Sequence, residues 1–159
     1  MHYTQVASIQ AILSTYNERI MRYGIIAEAL PIFYAELERT KDKIFNIATV
    51  NAIAKELNAH VAGIMAYASK GTDYKDRTYY QVTIHYTFNN MQKYEVIDNR
   101  YRDDNQGLHD GMIAMLKRFD DCKKWIDDTN ALIASLPDRH AKALIALDEL
   151  KKYEDLITN

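Results

Sequence analysis

Within TYYQVTIHYTF, residues 78–88, the run from Tyr80 to Phe88 alternates without a slip. Tyr80, Val82, Ile84, Tyr86 and Phe88 fall on one parity, and Gln81, Thr83, His85 and Thr87 on the other. A period of two in β-branched and aromatic residues demands a strand with one covered face. Such a strand needs neighbours to take its backbone hydrogen bonds. Asn89-Asn90 supplies residues that tolerate the left-handed conformations of a tight hairpin turn, and MQKYEVI can then return alongside. Upstream, VAGIMAYASKG sets Ala62, Ala66 and Ala68 between Val61, Gly63, Met65 and Tyr67, and the polar loop KGTDYKDR follows. The expectation is a three-stranded antiparallel meander over 61–97.

The rest of the chain has helical spacing. Val6, Ile9, Leu13, Tyr16, Ile20 and Tyr23 recur in steps of three and four, which places them on one stripe of an amphipathic helix. Gly24 and Pro31 follow, and proline suits the first turn of a new helix. The spacing therefore predicts a break near Ala29–Leu30 and a second helix over 31–44. A third runs through TVNAIAKELNAH, with Thr49 as cap and Val50, Ile53, Leu57 and Val61 facing inward. After the polar loop 98–106, a continuous apolar stripe predicts one long helix over 107–135. Pro137 would end it, and Asp138 would cap a last helix whose Ala143, Leu147, Leu150 and Ile157 turn inward. These two would pack as an antiparallel hairpin over 107–157. The fold class expected is α+β and mostly helical: three N-terminal helices over 1–60, the meander, and the C-terminal helical hairpin. With no repeat, low-complexity tract or linker, residues 1–159 read as a single domain.

Bulk properties narrow the partners. A net charge of −2 and a pI near 6.2 give no electrostatic footprint for double-stranded nucleic acid. The longest apolar runs are too short for a span of ~20 residues, so no membrane association is expected. Cys122 is the single cysteine, which precludes an intrachain disulfide and a cysteine-based zinc site and fits a cytoplasmic protein.

Catalytic patterns are sparse. Asp120-Asp121 and Asp127-Asp128 share a helix face, but Lys117, Lys123 and Lys124 stand among them, as on a solvated, salt-bridged surface. The five histidines include no pair at ligand spacing. No glycine loop for phosphate and no nucleophile elbow occurs, and no cofactor is implied. Ile84-His85-Tyr86-Thr87 resembles one of the paired histidine-x-threonine motifs of the two-histidine phosphoesterases, and His2-Tyr3-Thr4 repeats the tripeptide. That resemblance implies imidazoles acting as general base and acid while the hydroxyls hold phosphate oxygens. It supports the alternative of a nucleotide-binding or phosphoesterase-like site around His85.

Tyrosine distribution points elsewhere. Seven of the twelve tyrosines, Tyr67, Tyr74, Tyr79, Tyr80, Tyr86, Tyr94 and Tyr101, lie between 67 and 101, with Arg77, Arg100 and Arg102 in the adjoining loops. Tyrosine and arginine combine large contact area with a polar end and are enriched at binding hot spots. The candidate binding residues are Arg77, Tyr79, Gln81, Thr83, His85, Thr87, Arg100, Tyr101 and Arg102. The leading expectation is a small non-enzymatic binding or regulatory protein, inhibitor-like and of a kind that viruses and mobile elements carry. It would recognise a protein partner through the meander and self-associate as a homodimer through its long helices. Single-stranded nucleic-acid binding through stacked tyrosines is the weaker alternative.

Overall fold

The computed structural model describes residues 2–100 and 105–137, with side chains described from residue 11 onward. It is an α+β arrangement in which helices cover one face of a three-stranded antiparallel sheet. The chain runs through α1 (His2–Arg39), α2 (Ile47–His60), β1 (Met65–Thr72), β2 (Thr78–Phe88), β3 (Met91–Asp98) and α3 (Leu108–Leu116). A single 3₁₀ turn, Lys117–Phe119, leads from α3 toward a further helix, α4, over 122–137.

The meander forms as its alternation requires, in the order β1-β2-β3. Asn89 and Asn90 both take positive φ, 50° and 62°, and close the two-residue turn between β2 and β3. The first strand begins at Met65 rather than Val61, because Val61–Ile64 is used to leave α2 and turn, with Gly63 at φ 76°. On the covered face, Val82, Ile84 and Ile97 are buried against Phe33 and Leu37 of α1, Val50, Ile53 and Leu57 of α2, and Met112 and Leu116 of α3. Burying each such side chain is worth about 1.5–3 kcal/mol.

Three helix boundaries differ from the sequence expectation. The first concerns Pro31, which lies inside α1, so the break at Ala29–Leu30 and the separate helix 31–44 do not occur. Among the described residues, two helices, not three, precede the sheet. An interior proline forfeits one backbone bond and costs ~3 kcal/mol. Here it sits on the exposed side, while Ile26, Ala29, Phe33 and Leu37 are buried on both sides of it along one stripe. Continuous packing outweighs the local penalty.

The second concerns the cap of α2, which is Asn46 rather than Thr49. The Asn46 side chain accepts from Ala48 N–H at 2.9 Å, and Thr49 Oγ1 accepts from the Asn46 N–H at 3.2 Å as the far half of a capping box.

The third is the single helix expected over 107–135, which is interrupted at 117–121. Leu116 and Cys122 are both buried, with Phe119 packed between them. On an unbroken α-helix, residues six apart point about 120° away from one another. A 3₁₀ turn brings i and i+3 toward eclipse, so 116, 119 and 122 can face the same way. A hydrogen bond from the Tyr34 hydroxyl to Asp120 Oδ1 (3.0 Å) fixes the turn to α1. The expected second arm of the C-terminal hairpin, with Asp138 as its cap, lies outside the described residues.

Candidate interaction surface on the open face of the sheet

Strand register decides which side chains share the face turned away from the helices. Met65, His85 and Tyr94 are directly opposite one another across β1, β2 and β3, as are Tyr67, Thr83 and Val96, and Ser69, Gln81 and Asp98. Thr87 opposes Gln92, and Gly71 opposes Tyr79. The polar row expected from the alternation of β2 is therefore the central row of the open face.

His85 is the middle member of an aromatic series. The Tyr67 ring stacks on it with centroids 5.1 Å apart and planes 24° from parallel, and Tyr94 flanks it at 5.9 Å and 33°. The Tyr67 hydroxyl and His85 Nε2 are 2.6 Å apart, a short hydrogen bond that fixes both rings. Large apolar area stays in solvent here: Met65 is 67% exposed, Tyr94 65% and Tyr67 46%. Beside the series, a concavity of about 410 Å³ is lined by Gly63, Ile64, Met65, Thr87 and Gln92 together with Tyr67 and His85. Thr83 is buried beneath its neighbours and serves the sheet, not its surface.

The arginines are differently employed. Arg77 is part of the β1–β2 loop: its N–H donates to Asp73 Oδ1 and its Nε to Asp73 Oδ2, each at 2.9 Å. Burial opposes ionisation of Asp73, but the N–H groups of Arg77 and Lys75 and the Arg77 guanidinium outweigh it and hold the carboxyl below its usual range. Arg100 pairs with the buried Asp98 at 3.1 Å and lies 5.0 Å over the ring of Tyr79. Tyr79 in turn covers Gly71, where an added Cβ would come within 2.6 Å of the ring. So Arg77, Tyr79 and Arg100 form structural groups at one end of the sheet, while Gln81, His85 and Thr87 line its open face. Tyr101 and Arg102 lie outside the described residues.

Sequence reasoning missed Met65 and Gln92 beside His85, and it counted Tyr67 and Tyr94 in the tyrosine-rich segment without placing them at His85. A usable signal existed for β3: a two-residue turn at 89–90 sets Phe88 opposite Met91, and counting back puts His85 opposite Tyr94. The longer β1–β2 loop gives no equivalent rule for Tyr67.

Other chemistry is quiet. Cys122 is buried, and that burial pushes its thiol up, away from the thiolate form. His2, which opens the second histidine-x-threonine string, begins α1 and is not on a strand beside β2. Among the described residues no group of three or more histidine, cysteine, aspartate or glutamate side chains is placed to hold a metal ion. No helix among them is long and apolar enough to cross a membrane. Compared with protein-family models, curated proteins and solved structures, the chain matches none.

Proposed function

We propose that the protein is a small non-enzymatic binding protein, a regulator or inhibitor in type and cytoplasmic in setting, that recognises a protein partner through the open face of its meander. The observation that carries this reading is the Tyr67–His85–Tyr94 series, held rigid by stacking and one short hydrogen bond while Tyr94 and Met65 stay mostly exposed. Rigid aromatics with polar tips lose little conformational entropy on binding and act as anchors. Arginine at the sheet end supports the face by fixing Tyr79, in place of the direct contact expected of Arg77 and Arg100.

The phosphoesterase-like alternative draws less support. It needs two histidine-x-threonine strings on adjacent strands, and cations placed to take phosphate. His2 opens a helix, and Arg77 and Arg100 pair with Asp73 and Asp98.

The test is affinity capture from cells of the source organism with native mass spectrometry, using wild type and Tyr94→Arg in parallel. A protein retained by wild type and lost by the variant is the expected result. Equal retention by both overturns the reading.

A further inference from the structure

We infer that the open face of the sheet is occupied by a second copy of this chain, giving a two-fold dimer in which the two sheets pack face to face. This rests on the reading of that face as an interaction surface and names its occupant. It also moves the self-association seam from the long helices to the meander.

The first support is charge. Lysine, arginine, aspartate and glutamate make up 26% of the chain, yet among the described residues the strands' open face carries none between Met65 and Val96. Its one acid, Asp98, lies at the Tyr79 end and is paired with Arg100. The charges of β3, Lys93 and Glu95, point to the other side, toward Glu18 (3.4 Å) and Arg22 (3.7 Å) of α1. In a two-fold interface a surface meets itself, so any unpaired charge on it meets its own sign. A face free of unpaired charge avoids that repulsion.

The second support is hydrogen-bonding chemistry. Lysine only donates and a carboxylate only accepts, so neither can satisfy its own copy. Hydroxyls and carboxamides do both. Besides His85, whose Nε2 is already bonded to the Tyr67 hydroxyl, the polar groups here are Ser69, Gln81, Thr87, Gln92 and the tyrosine hydroxyls, which are of the self-complementary kind.

Area sets the kind of contact. Three strands about 4.8 Å apart and eight residues at about 3.3 Å each give a face of roughly 14 by 27 Å, near 400 Å² in plan. Two such faces present about 800 Å² in plan, and less where Thr83 and Asp98 are buried, so the contact is of the weak, transient size. Area of that order does not itself set an affinity, so association is sought across a wide concentration range.

Sedimentation velocity on the full chain from about 1 µM to 1 mM tests this. Wild type should pass from monomer to dimer, with its dissociation constant changing less than about threefold between ~0.05 and ~0.5 M salt because no ion pair is involved. Tyr94→Lys and Met65→Lys replace exposed side chains, so both should keep the wild-type melting temperature. Each should weaken dimerisation more than about tenfold by burying unpaired charge. Ile12→Lys, on an exposed position of α1, should leave it unchanged. A strict monomer across the range overturns the inference, as does loss of the dimer in Ile12→Lys but not in Tyr94→Lys. A monomeric wild type that still captures a partner lost by Tyr94→Arg overturns the dimer and leaves the interaction surface standing. A monomer whose captures are unchanged by Tyr94→Arg overturns both.

Discussion

Asn58 of α2 holds both backbone groups of Ala66: its Nδ2 donates to the Ala66 carbonyl at 2.8 Å, and its Oδ1 accepts from the Ala66 N–H at 2.7 Å. Since β1 is an edge strand, these groups would otherwise offer a template for another chain. A carboxamide carries the same donor and acceptor pair as a peptide unit, so one side chain stands in for a strand at this point. Asn58→Ala should cost about 2 kcal/mol in urea denaturation, because two polar groups lose their partners together. Hydrogen exchange at the Ala66 amide should accelerate well beyond that of Val82, deep in the core. An unchanged urea midpoint would contradict this role.

Gly71, Tyr79 and Arg100 form a stack in which each layer depends on the one below. A methyl group on residue 71 meets the far end of the Tyr79 ring at 2.6 Å, so the ring must swing away. That movement removes it from beneath the Arg100 guanidinium, 5.0 Å from its centroid. Gly71→Ala should therefore destabilise by about 1–2 kcal/mol, combining strain with a lost cation–π contact. In a Tyr79→Ala background the same substitution should cost less than about 0.5 kcal/mol, since nothing is left to displace. Additive effects in this double-mutant cycle would rule out the stack.

What the sequence disclosed followed the strength of local patterning. Nine residues of strict alternation, 80–88, located β2 and the face it covers, and Asn89-Asn90 located the turn to β3. Val50, Ile53 and Leu57 marked the buried side of α2 correctly. Failures came where tertiary packing overrode a local rule. Pro31 looked like a helix start because its neighbours' shared core was not visible in one dimension. The turn at 117–119 has no glycine or proline to announce it; the need to bury Leu116 and Cys122 together creates it. The arginines were recognised as notable residues, but their partners, Asp73, Asp98 and Tyr79, come from turn geometry and ring placement that spacing does not encode.

Pro31 provides a direct test of that override. Its missing N–H leaves the Ala27 carbonyl without its usual helical partner, and its ring faces solvent. Pro31→Ala restores the bond without disturbing the stripe of Ile26, Ala29, Phe33 and Leu37. The gain is reduced by the greater freedom of the unfolded chain, worth ~0.4–1 kcal/mol. A net stabilisation of about 1–2 kcal/mol is expected in thermal or urea unfolding. Destabilisation would mean that α1 needs the bend proline provides in order to reach both halves of the core.

Glu95 should make stability depend on pH. It is held under α1, and burial raises its carboxyl above the ordinary value of 4.5, with the Arg22 guanidinium 3.7 Å away only partly opposing the shift. The folded state thus holds this proton more tightly than the unfolded state does. The resulting stabilisation is complete below pH 4.5 and is lost as pH rises through the folded-state value. Glu95→Gln keeps the shape and removes the titration, while the Arg22 guanidinium retains the Tyr23 ring 5.0 Å away. Across a series of urea midpoints from about pH 4 to pH 8, wild type should lose stability relative to the variant, most steeply just above the ordinary glutamate value. A constant difference over that range would show that Glu95 titrates alike in both states and that burial does not govern it.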